Sequence, residues 1–224
     1  MTQKQIRSLN NRIIQCKKCS RLHSYIKQVS RDKVKRFSDQ QYWGRPLPSF
    51  GDFRAQILIV GLAPAAHGGN RTGRMFTGDS SGDWVARVLY HNKLATKPIS
   101  TSANDGFSLI NCYITAAVRC APPDNKPTKE EMQNCSSYLD KEIQYLKDVQ
   151  VIVCLGRIAF DAVYRILGIK KAKFAHGNII KTENYAVLCS YHPSRQNTQT
   201  GRLQWDQWNS IFILAKKLAK DTHN

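Results

Sequence analysis

GLAPAAHGGNRTGRMFTGDSSGD, residues 61–83, is the stretch on which the fold turns. An apolar run, AQILIV (55–60), leads straight into it, and a helical pattern leaves it near Asp83. Six of the chain's thirteen glycines (Gly61, Gly68, Gly69, Gly73, Gly78 and Gly82) fall inside it. Glycine lets backbone adopt positive φ and approach a ligand closely. A strand that feeds such a loop and then a helix places the loop at the carboxyl edge of a parallel sheet, where α/β folds bind ligands. Two phosphate loops are excluded. Gly68 and Gly73 have P-loop spacing, but Arg74 and Met75 follow where Lys and Ser/Thr are required, and no GxGxxG string occurs. The loop's own chemistry is a flat stacking face at Phe76 and a first carboxylate at Asp79.

Outward from the loop, four apolar strands are expected at 55–63, 107–118, 149–156 and 185–191. Helical stripes are expected over 4–15, after the loop (Trp84, Val88, Leu89), over about 129–147, over about 157–167 ending at Gly168, and over about 204–219. Thr128 and Glu131 form a capping box for the third of these. Residues 20–50 are basic and irregular, and 43–52 reads as a loop. Strands alternating with helices predict an α/β fold, a three-layer α/β/α arrangement around a central four-stranded parallel sheet. The chain is expected to form one domain over 1–224 with a basic N-terminal arm. The loops 61–82, 119–128 and 192–203 all leave strand C-termini and are expected to meet at one edge.

Thirty-four Lys+Arg against 16 Asp+Glu give a net charge of +18. Residues 1–50 alone hold 12 basic and 2 acidic side chains. A clustered excess of this size is the footprint of a nucleic-acid binder, with a merely well-solvated basic surface as the bland alternative. No apolar run approaches the ~20 residues of a membrane span, and the N-terminus lacks the apolar core of a signal peptide, so the cytoplasm is the expected compartment. Seven cysteines in a reducing compartment argue against a disulfide framework. Cys112, Cys154 and Cys189 lie in or beside apolar strands and read as small hydrophobes. Cys16 and Cys19 form a CxxC, and Cys120 and Cys135 are separated by fourteen residues. Spacing alone leaves zinc, an iron–sulfur cluster and unliganded thiols open for these four.

GLAPAAHGGNRTGRMFTGDSSGD, VRCAPPDNKPT and SYHPSRQNTQTGRL together resemble the uracil-DNA glycosylase superfamily, specifically family 5, the type b enzymes with an iron–sulfur cluster. The resemblance runs from the CxxC to the last helix. Most families of that superfamily carry an acid or amide just after the GLAP-like motif; Ala65 and Ala66 stand here, as in family 5. It implies a monofunctional DNA glycosylase, acting as a monomer on damaged DNA, that everts uracil or another deaminated base such as hypoxanthine and leaves an abasic site. It also implies a [4Fe–4S] cluster on Cys16, Cys19, Cys120 and Cys135, stapling the basic arm to the sheet. Phe76, with backbone at Leu62 and Ala63, would hold the base. Asp79 would stabilise the sugar cation and orient water, His192 would donate to the uracil O2, and Asn125 would read the base edge or hold the water. Asn70, Arg71, Arg74, Ser194, Arg195 and Asn197 would contact the DNA strand. A non-catalytic iron–sulfur nucleic-acid binder would share the charge and the cysteines but has no use for Asp79.

Overall fold

The computed structural model describes residues 2–221; the outermost positions of the expected 1–224 domain lie outside them. In chain order the elements are α1 (Thr2–Ile14), α2 (Ser20–Asp32), β1 (Phe50–Gly51), β2 (Ile57–Gly61), α3 (Gly69–Thr72), α4 (Ser80–His91) and β3 (Cys112–Ala116). There follow α5 (Lys129–Tyr145), β4 (Val151–Leu155), α6 (Arg157–Ile166), β5 (Ile179–Lys181), β6 (Ala186–Ser190), α7 (Arg195–Gln199) and α8 (Trp205–Asp221).

The sheet is six-stranded and mixed, in the order β1-β3-β2-β4-β6-β5, rather than four-stranded and all parallel as expected. β3, β2, β4 and β6 pair in parallel, with Ile59 opposite both Ile114 and Val153 and with Cys154 opposite Cys189. The short edge strands β1 and β5 pair antiparallel with β3 and β6. β1 hides in a proline-rich stretch that reads as loop. Its Gly51 sits at φ +138, where a Cβ would strike the Cys112 carbonyl.

Every residue of β2, β3 and β4 is buried, because both sheet faces are covered. The two-residue period of a strand sends Ile57 and Ile59 into one core, with Val88 and Leu89 of α4 and Trp208 and Phe212 of α8. Leu58 and Val60 enter the other, with Ile6 of α1, Leu139 of α5 and Phe160 of α6. Cys112, Cys154 and Cys189 are fully buried in these cores, as expected of small hydrophobes.

Two local readings are corrected. Residues 20–32 are not irregular: α2 buries Leu22, Ile26 and Val29 along one stripe. The second core strand begins at Cys112 rather than near 107, because Asn111 adopts φ +53 and locks to Gln56 through its side-chain amide. The Thr128–Glu131 capping box is present, and Glu131 also accepts two hydrogen bonds from Arg21, at 2.8 and 2.7 Å, which pins α2 to α5.

Candidate active site

The four parallel strands end at one edge, and the segments leaving them enclose a cleft of about 740 Å³. The glycine-rich loop supplies Leu62, Ala63, Phe76 and Asp79, and the segment after β3 supplies Asn125. The segment after β6 supplies His192, Ser194, Arg195 and Asn197. The three expected loops therefore do converge. A fourth, Gly156–Ala159 after β4, was not anticipated.

Asp79 holds two positions at once. It is the N-cap of α4: its Oδ1 accepts from the backbone N–H groups of Ser81 and Gly82, each at 3.0 Å. Its Oδ2 takes no hydrogen bond among the described residues and lies over Gly68, where a Cβ would fall on it. Glycine at 68 is thus what lets the carboxylate occupy this place. Burial raises the Asp79 pKa above its ordinary value, against the two amide donors and Arg71, which pull it down. A carboxylate so placed is a stronger base than one in open water.

Phe76 sits at φ +49, a conformation costly for a residue with a Cβ. Two close approaches hold it there. A Cβ on Gly61 would come within 2.8 Å of the Phe76 ring, and one on Gly82 would collide with the Phe76 carbonyl. The ring is thereby laid across the end of β2 and faces His192, with centroids 5.9 Å apart and planes inclined by 34°. Burial lowers His192 to about 4, so its imidazole is neutral at physiological pH. Asn197 fixes the segment by donating to the His192 carbonyl at 2.8 Å, and Ser194 caps α7 by accepting from the Asn197 N–H. Arg195 is exposed at the rim. Asn125 is exposed too, at φ +56, so it stands at the mouth rather than in the depth of the cleft.

Two expected strand contacts are corrected. Asn70 is fully buried and donates to the Ile26 carbonyl of α2. Arg74 is 7% exposed and grips Asp105 with Nη2 at 2.7 and 2.8 Å, with Ser100 Oγ at 2.7 Å. Burial alone would raise Asp105, but Arg74 and the N–H groups of Phe107, Thr101 and Ser102 outweigh it and hold the carboxyl well below its usual range. Arg74 therefore straps the glycine-rich loop to residues 100–107. Arg71 is also engaged, donating to the His67 and Gly78 carbonyls and to Gln40, over the Phe37 ring. Charge and position in the loop suggested DNA contact for all three; burial makes Asn70 and Arg74 internal braces, whereas Arg71 is half-buried and lines a neighbouring cleft.

The sequence reading missed the outer wall. Tyr191 stacks on His176 with centroids 5.0 Å apart and carries Arg202 4.6 Å from its ring centre. Phe174 meets the same ring at 6.2 Å. Tyr191 stood in the quoted SYHPS string, whereas nothing local marked Phe174.

Away from the cleft, Cys19, Cys120 and Cys135 share an apolar cluster with Leu22, Ile26 and Met132. Cys120 and Cys135 each feel both Cys16 and Cys19 electrostatically, and burial pushes the Cys135 thiol up to about 11. Asn134 donates to Cys19 Sγ at 3.6 Å, and Tyr138 hydrogen-bonds Cys16. Among the described residues no group of three or more His, Cys, Asp or Glu side chains is arranged to hold a single metal ion.

Residues 48–212 match the family model of the uracil DNA glycosylase superfamily. The chain is 48% identical over 193 residues to a type-5 uracil-DNA glycosylase of Pyrobaculum aerophilum, covering 86% of this chain and 84% of that protein. It is 46% identical to a type-5 uracil-DNA glycosylase of Mycobacterium leprae, covering 96% of each. A type-4 uracil-DNA glycosylase of Archaeoglobus fulgidus is 28% identical, over 66% of this chain and 70% of its own. The match over residues 48–212 and the identity of 46–48% over most of the chain place it in the uracil DNA glycosylase superfamily, and within it the chain belongs to the type-5 group.

Proposed function

We propose that the protein is a monofunctional DNA glycosylase that everts uracil from DNA and hydrolyses its N-glycosidic bond, leaving an abasic site. The observation that carries this is the placement of one half-buried carboxylate, Asp79, on the wall of the cleft that also holds the Phe76–His192 ring pair. The everted pyrimidine lies against Phe76, which replaces the stacking lost in the duplex. As the C1′–N1 bond breaks, its electron pair passes to the base and positive charge grows on the sugar. Neutral His192 donates a hydrogen bond to the uracil O2, where negative charge accumulates, and Asp79 stabilises the sugar cation. A water held at Asp79 Oδ2 then bonds to C1′ and passes a proton to that carboxylate, which returns it to solvent, while the released uracil anion takes up a solvent proton at N1 and leaves as neutral uracil.

Ala65 and Ala66 leave room beside the acid, which supports acceptance of hypoxanthine and related deaminated bases. The net charge of +18 and the exposed Arg195 favour the DNA backbone as partner. Every group invoked comes from one chain, so a monomer suffices. No described helix is long and apolar enough to cross a membrane, and action on DNA in the cytoplasm is the setting we adopt.

Cys16, Cys19, Cys120 and Cys135 would hold a [4Fe–4S] cluster. The fit rests on Cys19, Cys120 and Cys135 sharing one apolar cluster, with Cys16 near enough to act on Cys120 and Cys135 electrostatically and with donors from Asn134 and Tyr138 ready for sulfur charge. Each iron takes one thiolate, so the sulfurs need not converge on a point. When bound, the cluster supplies a covalent brace that ties the turn between α1 and α2 to β3 and α5. A labelled duplex with uracil opposite guanine, treated with the protein and then hot alkali, tests the reading. Cleavage only after alkali supports it, while intact strands with cluster-loaded protein would point to the non-catalytic binder.

A further inference from the structure

A second cleft of about 1040 Å³ adjoins the first and shares Asp79, Asn125 and Arg195 with it. Its far wall holds His67, Arg36, Phe37 and Gln40. Neither Arg36 nor His67 was assigned a task by the sequence or by the excision chemistry. His67 is nonetheless carefully set. Tyr42, 7% exposed, shares a 3.0 Å hydrogen bond with His67 Nδ1. With the phenol proton directed at Nδ1, this hydrogen bond leaves Nε2 as the nitrogen that carries the His67 proton. Burial, then Arg36 and Arg71, lower its pKa, and no carboxylate is among the groups acting on it. The ring is a neutral, directional donor in a positive field. Arg71 is consumed by protein contacts, whereas Arg36 lies 4.4 Å from the Phe37 ring centre and pairs with no carboxylate among the described residues.

The position of this donor matters. His67 immediately precedes Gly68, the residue over which Asp79 Oδ2 lies. Asp79 and His67 line this same cleft, so a nucleotide whose C1′ is addressed by Asp79 carries its phosphodiesters into the space that His67 walls. We propose that His67 donates its Nε2 proton to a phosphodiester flanking the everted nucleotide, with Arg36 as its charge partner and Tyr42 as the residue that fixes the tautomer. Asp83 and Asp124 also line this cleft and disfavour anions beside them. The inference rests on the excision reading, because it takes the position of C1′ from Asp79.

Fluorescence anisotropy on a duplex carrying a tetrahydrofuran abasic analogue tests it, with one phosphate at a time replaced by a neutral methylphosphonate. His67→Ala should weaken binding to the all-phosphate duplex about tenfold, as expected for loss of one hydrogen bond to a charged group. The loss should vanish when one particular linkage beside the lesion is neutral and persist for all others. Tyr42→Phe keeps the ring and should weaken binding at that same linkage, which guards against misfolding of the alanine variant. Binding unchanged in both variants, or a loss indifferent to which linkage is neutral, would overturn the contact. Wild-type protein that excises uracil while His67→Ala binds normally removes only this contact; wild-type protein that releases no uracil removes the excision reading itself.

Discussion

Asp79→Asn separates the two tasks of the central acid. Oδ1 caps α4 through two 3.0 Å hydrogen bonds, and Oδ2 alone is left for chemistry. Asparagine caps helices about as well as aspartate, so the variant should melt within about 2 °C of wild type. It cannot take a proton from water or stabilise a cation with full charge, and its single-turnover excision rate should fall about 10²- to 10⁴-fold. Asp79→Ala loses both tasks. Removing an N-cap costs about 1 kcal/mol, which for a chain of this size lowers Tm by roughly 2–4 °C, with a rate loss of at least about tenfold. Calorimetry and alkali-revealed excision on the same preparations supply both numbers. An Asp79→Asn protein with the wild-type rate would refute the assignment of base catalysis to this carboxylate, and one that melts far lower would refute the division of labour between its oxygens.

Gly68→Ala places a methyl on Asp79 Oδ2, so excision should fall at least about tenfold while the helix-cap residue itself is untouched; an unchanged single-turnover rate would contradict the reading. Phe76→Ala should remove about 1–3 kcal/mol of base stacking, read as a higher enzyme concentration for half-maximal single-turnover rate. His192 is lowered to about 4 from an ordinary value near 6.5, so below about 6.5 the unfolded chain binds a proton that the folded chain refuses until about 4. Wild type therefore loses stability through this group as pH falls across that window, and His192→Asn should narrow or reverse its Tm deficit between pH 7 and about pH 5. Freshly purified protein should show a broad absorbance near about 400 nm that Cys135→Ser abolishes; a colourless, zinc-loaded preparation under anaerobic handling would contradict the cluster.

The inner sheet was legible because its strands are buried on both faces, which leaves an uninterrupted apolar signature in Ile57–Val60 and Val151–Leu155. The capping box at Thr128 and the left-handed Gly168 were legible because each depends on local chemistry. α2 was missed for the opposite reason: its Leu22, Ile26 and Val29 are diluted by cationic side chains on the exposed face. β1 and β5 have two and three residues and exist only through pairing with partners far along the chain. In the site, the loop glycines announced a close approach, but not which atoms approach. That Gly68 seats a carboxylate and Gly61 a ring follows only from the fold. Charge was the least reliable guide. Arg74 looked like a strand contact and is an internal brace, Arg71 is tied to its own loop yet still lines the second cleft, and Arg36 drew notice only as part of a basic segment.

A structure of the Asp79→Asn protein with a uracil-containing duplex measures the central claim directly. The account predicts uracil against the face of Phe76 with its O2 turned toward His192, and with the side chain at position 79 reaching C1′ of the everted sugar directly or through one water. Uracil still stacked in the duplex across the closed cleft, or everted with C1′ turned away from position 79, would contradict it.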